Sequence, residues 1–333
     1  KRWSRRALPP RIVDAHHHFF DTANLPWQSF IKSLGLGTYL CESYDVDCAG
    51  LPIVKTVHVE AMPDDGAAEA AWVDSLAAAG RCKVAAIVAS VPLASPDAAV
   101  RLKEVLNASP KVRGVRWILN YDGPFDGMNE RATWPRVVDT PVTQLPKPEA
   151  ATDFLCDIAA VKRFEAGFSL LATHGLSFDC QCNPHQLKKA AELFSRHPSV
   201  PVVIDHLATP RNLSADANAA LAEWKQGLAA VAALPHVYIK LSMLGYAVNG
   251  WSEDAAKEAF LKSIVLEVVA LFGARRCMFA SNWHVDAAVS DFGGAMGPSM
   301  PDLYSRFQSW VAHLPVNEQD RLFAGTAEEF YRI

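Results

Sequence analysis

Short apolar, largely β-branched runs recur along the chain, separated by longer stretches with helical spacing of apolar positions, and this alternation repeats eight times. The runs are Arg11 to His18, Ile53 to Met62, Lys83 to Val91, Val112 to Leu119, Leu176 to Cys182, Pro201 to Leu207, Val237 to Met243 and Cys277 to Trp283. Repeated strand–helix units build a parallel sheet whose faces are covered by the helices. Eight strands favour closure, so the expected fold is α/β, a (β/α)8 TIM barrel in a single domain.

Helices are expected near Asp65 to Ala79, Pro96 to Asn107, Thr152 to Thr173, Pro184 to Arg196, Ala215 to Ala233, Ser252 to Phe272, Pro301 to His313 and Val316 to Ala324. Ser95-Pro96 and Asn183-Pro184 each put a capping residue before a first-turn proline, and Gly80 and Gly273 stop their helices. Three long connections follow strands 1, 4 and 8: Phe19 to Leu51, Asn120 to Glu149 and Val285 to Met300. Loops after barrel strands form the catalytic face, so these should shape a pocket. The segment from Asn120, with Tyr121, Asp122-Gly123-Pro124, Phe125 and Trp134, is the lid candidate. No repeat or low-complexity linker divides residues 11–333, and residues 1–10 read as a flexible or processed tail.

Composition narrows the function classes. A net charge of −4 over 333 residues leaves no basic surface for nucleic acid. The best apolar helix, Phe260 to Phe272, is interrupted by Lys262 and Glu267, so no membrane span is expected. Seven cysteines, at positions 41, 48, 82, 156, 180, 182 and 277, lack the spacing of a disulfide framework or zinc finger and read as reduced. The basic start Lys1-Arg2-Trp3-Ser4-Arg5-Arg6 reads as a solvated tail of a cytoplasmic protein, with an organellar transit-peptide remnant as the alternative. The expected partner is a small molecule.

Candidate chemistry lies at strand ends. Asp14-Ala15-His16-His17-His18 closes the first strand, and alternation puts His16 and His18 on one face with His17 opposite. Val203-Ile204-Asp205-His206 brings a third histidine to the same rim; neutral imidazoles there suit a divalent metal. Asp205, beside His206, is expected to face outward. The last strand runs through Phe279-Ala280-Ser281-Asn282-Trp283-His284-Val285-Asp286.

These three segments resemble the amidohydrolase superfamily, in the amidohydrolase-2 group that includes 2-pyrone-4,6-dicarboxylate lactonase and sugar lactonases. The likeness extends through Val57-His58-Val59-Glu60-Ala61, Gly114-Val115-Arg116, Tyr238-Ile239-Lys240-Leu241-Ser242 and the closing Gly325-Thr326-Ala327 with Phe330-Tyr331. It implies His16, His18 and His206 as ligands of a divalent metal, zinc or manganese. It also allows catalysis without metal, the histidines then binding polar groups of the substrate. The superfamily generally carries an aspartate where this chain has Asn282, and an amide is neither a general base nor a charged ligand. The base would then be Glu60, His284, Asp286 or water activated at the metal, with Asn282 positioning water or substrate.

Arg116 is expected to clamp a carboxylate or polarise a carbonyl, while Arg113 faces the other side in a surface ion pair. His58 and Glu60 share a face by alternation, as do Lys240 and Ser242, which places His58, Lys240 and His284 among the substrate-binding candidates. The expected function is hydrolysis of a cyclic ester by water attack at a carbonyl. The alternatives are a non-oxidative decarboxylase of the same superfamily, whose glycine-rich strand-six context is missing at His206-Leu207-Ala208-Thr209, and a silent barrel that only binds a small molecule.

Overall fold

The structure is a computed structural model and describes residues 8–33, 35–121, 152–211, 213–216, 218–285 and 297–333. Its strands are β1 (Ile12–His17), β2 (Phe20–Asp21), β3 (Thr38–Tyr39), β4 (Ile53–Val59), β5 (Val84–Ser90), β6 (Val112–Ile118), β7 (Ser177–Gln181), β8 (Val202–Ile204), β9 (Val237–Leu241) and β10 (Cys277–Phe279). Eight of them form one parallel sheet in the order β1, β4, β5, β6, β7, β8, β9, β10. The sheet closes just beyond β10, where the Asn282 N–H donates to the His16 carbonyl at 2.8 Å and the His18 N–H to the Trp283 carbonyl at 2.8 Å. The barrel expected from the eight runs is therefore present.

Helices Gly66–Ala78, Ala98–Ala108, Ile158–His174, Leu187–Ser195, Asn218–Ala232, Ala255–Phe272 and Met300–Val311 surround it. Their starts follow side-chain caps: Asp65 accepts from Ala67 and Ala68 N–H, and Asp254 from Ala256 and Lys257 N–H. The helix expected from Thr152 begins at Ile158, because Asp153 first holds a turn through the Leu155 and Cys156 N–H groups and Asp157 then caps Ala160. The helix expected from Pro96 starts at Ala98, since Ser95 spends its hydroxyl on the Asp97 carboxylate. Among the described residues no helix is long and apolar enough to cross a membrane.

The connection Phe19 to Leu51 holds the β2–β3 pair and helices Ser29–Ser33 and Cys41–Asp47. Most of the lid candidate, including Phe125 and Trp134, lies outside the described residues, as do Asp286 and the tail through residue 7.

Two apolar layers result. One lies between strands and helices; the other fills the lumen with Val13, Ala15, Val57, Val59, Ala86, Val88, Val203, Met278 and Ala280. Ala327, Phe330 and Tyr331 of the C-terminal helix Thr326–Tyr331 pack into this second layer, each large ring stabilising the fold by about 2 kcal/mol. Arg11, at the start of β1, holds the terminal segment through Asp320 at 2.8 Å and Glu328 at 2.6 Å. The N-terminal end of the barrel is thus closed, and the polar chemistry collects above it.

Candidate active site

β1 carries an irregularity between Asp14 and His17: Val13 and Ala15 face the lumen, and past them His16 and His18 face it as well, with His17 opposite. His17 turns to the helices and meets Thr56 Oγ1 at 2.9 Å, whereas His16 and His18 bring their Nε2 atoms to 3.2 Å of each other. His18 Nδ1 lies 2.8 Å from the Val59 carbonyl, which can only accept, so Nδ1 carries the proton and Nε2 keeps its lone pair. Asn282 Oδ1 stands 3.3 Å from that Nε2. Asn282 has φ +53°, a left-handed conformation that asparagine tolerates better than most residues.

Beyond β8 the alternation fails, and with it the expectation that Asp205 faces outward. The strand ends at Ile204, and His206, Leu207, Ala208 and Thr209 all take positive φ, from +46° to +65°. Such residues cost on the order of 1 kcal/mol each. The run is held by Trp224 Nε1 donating to the Leu207 carbonyl at 2.7 Å and Thr209 Oγ1 to the Cys182 carbonyl at 2.8 Å. Asp205 and His206 consequently both enter the lumen: Asp205 Oδ1 is 3.5 Å from His16 Nδ1, and the His206 and His16 rings are 4.6 Å apart. Ser242 Oγ lies 2.9 Å from His206 Nδ1.

Lys240 stands beneath this group. Its Nζ lies 2.5 Å from Asp179 Oδ2, 3.1 Å from Asp205 Oδ1 and 3.1 Å from His16 Nδ1. Tyr331 completes the floor, its hydroxyl donating to Asp179 Oδ2 at 2.7 Å. Asp179 was not read from the sequence, although a lone acid inside the apolar run Leu176 to Cys182, at the parity of Gln181, was a usable signal.

Arg116 enters from β6. Its Nε donates to Glu60 Oε1 at 2.7 Å, one Nη to the Glu60 carbonyl, and the other to Gln181 Oε1 at 3.4 Å. Glu60 Oε2 also accepts the Met62 N–H at 2.8 Å, so this carboxylate is tied on both oxygens. The expectation that His58 shares its face is corrected. Val57 and Val59 point into the lumen, so His58 points out, its Nδ1 accepting from the Phe19 N–H at 3.3 Å and its Nε2 3.7 Å from Glu69. Glu60 reaches the lumen because β4 has already ended at Val59. His284 stacks on Tyr39 with ring centroids 4.6 Å apart, at the rim. Arg113 bonds backbone carbonyls of Pro110 and Val112 in place of the expected ion pair.

Burial governs the charges. It holds His16 well below the usual histidine range, with the Lys240 cation adding to the effect, and it pushes His18 down to about 3, aided by Arg116. His206 also falls to about 3, burial outweighing the Asp205 carboxylate. Asp179 is raised by burial to about 6 despite Lys240. Burial opposes the Asp205 charge as well, but Lys240 and His16 more than offset it and hold this carboxyl well below its usual range. The imidazoles are thus neutral, as metal ligation or hydrogen bonding requires.

The donor set fits a divalent ion. His16, Asp205 and His206 each offer an atom within 4.8 Å of the others. His18 and His206 have one nitrogen held by a neighbour, the outer-shell arrangement that orients ligating imidazoles. Asp205 supplies the negative charge that Asn282 lacks.

Comparison with known proteins agrees with this architecture. The family described as Amidohydrolase matches residues 13–333. An L-fucono-1,5-lactonase of Burkholderia ambifaria is 26% identical over 331 residues, covering 96% of this chain and 95% of that protein. Crystal structures of an amidohydrolase from Burkholderia multivorans, one with bound HEPES and one with bound zinc, superpose with TM-scores of 0.71 and 0.70 at 24% identity, over 97% of this chain and 99% of that one. A 2-pyrone-4,6-dicarboxylic acid hydrolase structure from Pseudomonas putida gives 0.63 at 15% identity, over 96% and 97% of the two chains.

Proposed function

The chain belongs to the amidohydrolase family, and from that premise we propose that it hydrolyses a cyclic ester, a lactone of a sugar acid or of a ring-cleavage product. The observation that carries the reading is the His16–His18 pair, with Nε2 atoms 3.2 Å apart beside the Asn282 amide where the barrel closes. Full-length likeness to a protein named for lactone hydrolysis supports the substrate class.

In this reading the substrate carbonyl oxygen sits among His16, His18 and His206, and Arg116 binds the carbonyl or an anionic group of the ring. Lys240 donates to His16 Nδ1, so His16 presents Nε2–H as a hydrogen-bond donor to the developing oxyanion. Asn282 orients the attacking water. The lone pair on His18 Nε2 accepts its proton, made more basic by the charge appearing on the neighbouring oxygen. A divalent ion held by His16, His18 and His206, with Asp205 adding charge, would supply Lewis acidity when bound. Glu60 serves by fixing Arg116, and His284 with Tyr39 offers an aromatic rim for the ring.

Product analysis over a panel of five- and six-membered sugar lactones and aromatic carboxylic acids tests the proposal. Hydroxy-acid formation is expected. Release of carbon dioxide from the aromatic acids would instead mark a decarboxylase, and binding without any product a silent barrel.

A further inference from the structure

Two thiols from distant parts of the chain meet outside the site described above. Cys41 opens the helix Cys41–Asp47, and Cys82 precedes β5. Both line one small cavity, together with Phe19, Tyr44, Cys48 and Thr56. The residues beside them clamp the same spot: Arg81 donates twice to Glu42, at 3.1 and 2.5 Å. Cys41 is buried and Cys82 partly exposed, and neither is joined in a disulfide.

We infer that Cys41 and Cys82 form a reversible oxidation site, a dithiol that a peroxide converts to a disulfide. The Cys82 thiolate attacks hydrogen peroxide, an S–O bond forms as the O–O bond breaks, and hydroxide leaves. The Cys41 thiol then attacks that sulfur; the S–S bond forms, the S–O bond breaks, and its oxygen departs as water with the thiol proton. Peroxide is reduced to two waters while two thiols lose two electrons. A dithiol reductant reverses the step.

The order of attack follows from the surroundings. The neighbouring Cys41 thiol brings Cys82 down to about 7, against the effect of burial and with help from Arg81, and Cys82 is also the more exposed of the two. Cys156 is more exposed, yet burial of its sulfur and Asp153 push it up to about 12, and burial pushes Cys48 up to about 11. Nucleophilicity therefore does not track exposure in this protein. The bond would also brace the catalytic face. The tethered helix carries Tyr44, whose hydroxyl donates to Asp14 at 2.7 Å, and Asp47, which accepts from Tyr39 and Trp283 at 2.7 Å.

Peptide mapping of the full chain under non-reducing conditions, after brief treatment with equimolar hydrogen peroxide, tests the inference. The Cys41 and Cys82 peptides should appear linked, lighter by two hydrogens than their sum, and separate on addition of dithiothreitol. In Cys41→Ser, Cys82 should stop at a sulfenic acid trapped by dimedone; in Cys82→Ser, the linkage and the Cys41 adduct should both be lost. In the untreated protein at pH 7, iodoacetamide should label Cys82 about tenfold or more faster than Cys156. Oxidation that falls first on Cys156 with no linked peptide, or equal labelling of the two cysteines, would overturn the assignment.

Discussion

Lys240 and His16, 224 residues apart in sequence, meet at 3.1 Å in the barrel floor, and the same ammonium joins Asp179 and Asp205. All four side chains are fully buried. Removing the cation strands two carboxylates in a low-dielectric interior, so Lys240→Met should cost about 3–5 kcal/mol. Urea unfolding monitored by circular dichroism gives the value directly, and adding Asp179→Asn should recover part of it. A midpoint unmoved by Lys240→Met would show that the charges are not coupled as described.

Stability should fall steeply in mild acid. His18, His58 and His206 are held near 3, below the ordinary histidine value, so between that value and about 6.5 the unfolded chain binds protons that the folded chain refuses. Their contribution is complete above about pH 6.5 and is lost as pH falls, each group removing roughly 1.4 kcal/mol per pH unit. Thermal unfolding from pH 8 to pH 5 should show a flat upper region and then a sharp decline. A Tm constant down to pH 5 would mean these rings are protonated in the fold.

Arg116 binds Glu60 through both its Nε and an Nη group, a geometry lysine cannot reproduce. Arg116→Lys should therefore lower kcat/KM on the best lactone by about ten- to a hundredfold, roughly 1.4–2.8 kcal/mol, mainly through KM. An unchanged kcat/KM would remove Arg116 from substrate binding.

Asn282→Asp puts a carboxylate 3.3 Å from His18 Nε2 without demanding a new backbone conformation, since aspartate also tolerates positive φ. Zinc affinity by calorimetry should rise by about tenfold or more, because a charged oxygen replaces a neutral one. If His18 already serves as proton acceptor, the rate should change little. Equal affinity in the two proteins would show that Asn282 does not address the ion.

The barrel was legible because eight β-branched runs alternate with helical stretches, a pattern set by burial on both faces of a parallel sheet. His16 and His18 were legible for a narrower reason: two residues apart, they share a face, although an irregularity between Asp14 and His17 brings them to the lumen that Val13 and Ala15 also occupy, which strict alternation along β1 does not give. Asp205 and Glu60 show where that rule stops. β8 ends one residue before Asp205 and β4 one residue before Glu60, and past a strand end side-chain direction is set by local φ and ψ, which composition does not encode. The floor was harder still. Asp179 and Tyr331 pair across 152 positions, a contact that depends on how the terminal helix seats in the lumen. The helix expected from Thr152 starts several residues later because Asp157 supplies its cap, accepting from the Ala160 N–H.

The central claim, water attack on a lactone carbonyl at the paired histidines, is tested most directly by turnover in oxygen-18 water with the wild-type protein and His16→Ala/His18→Ala. The account predicts one heavy oxygen in the product carboxylate for the wild type, and no product with the double variant despite a native circular dichroism spectrum. Label in the product hydroxyl, or wild-type rates from the folded double variant, would contradict it.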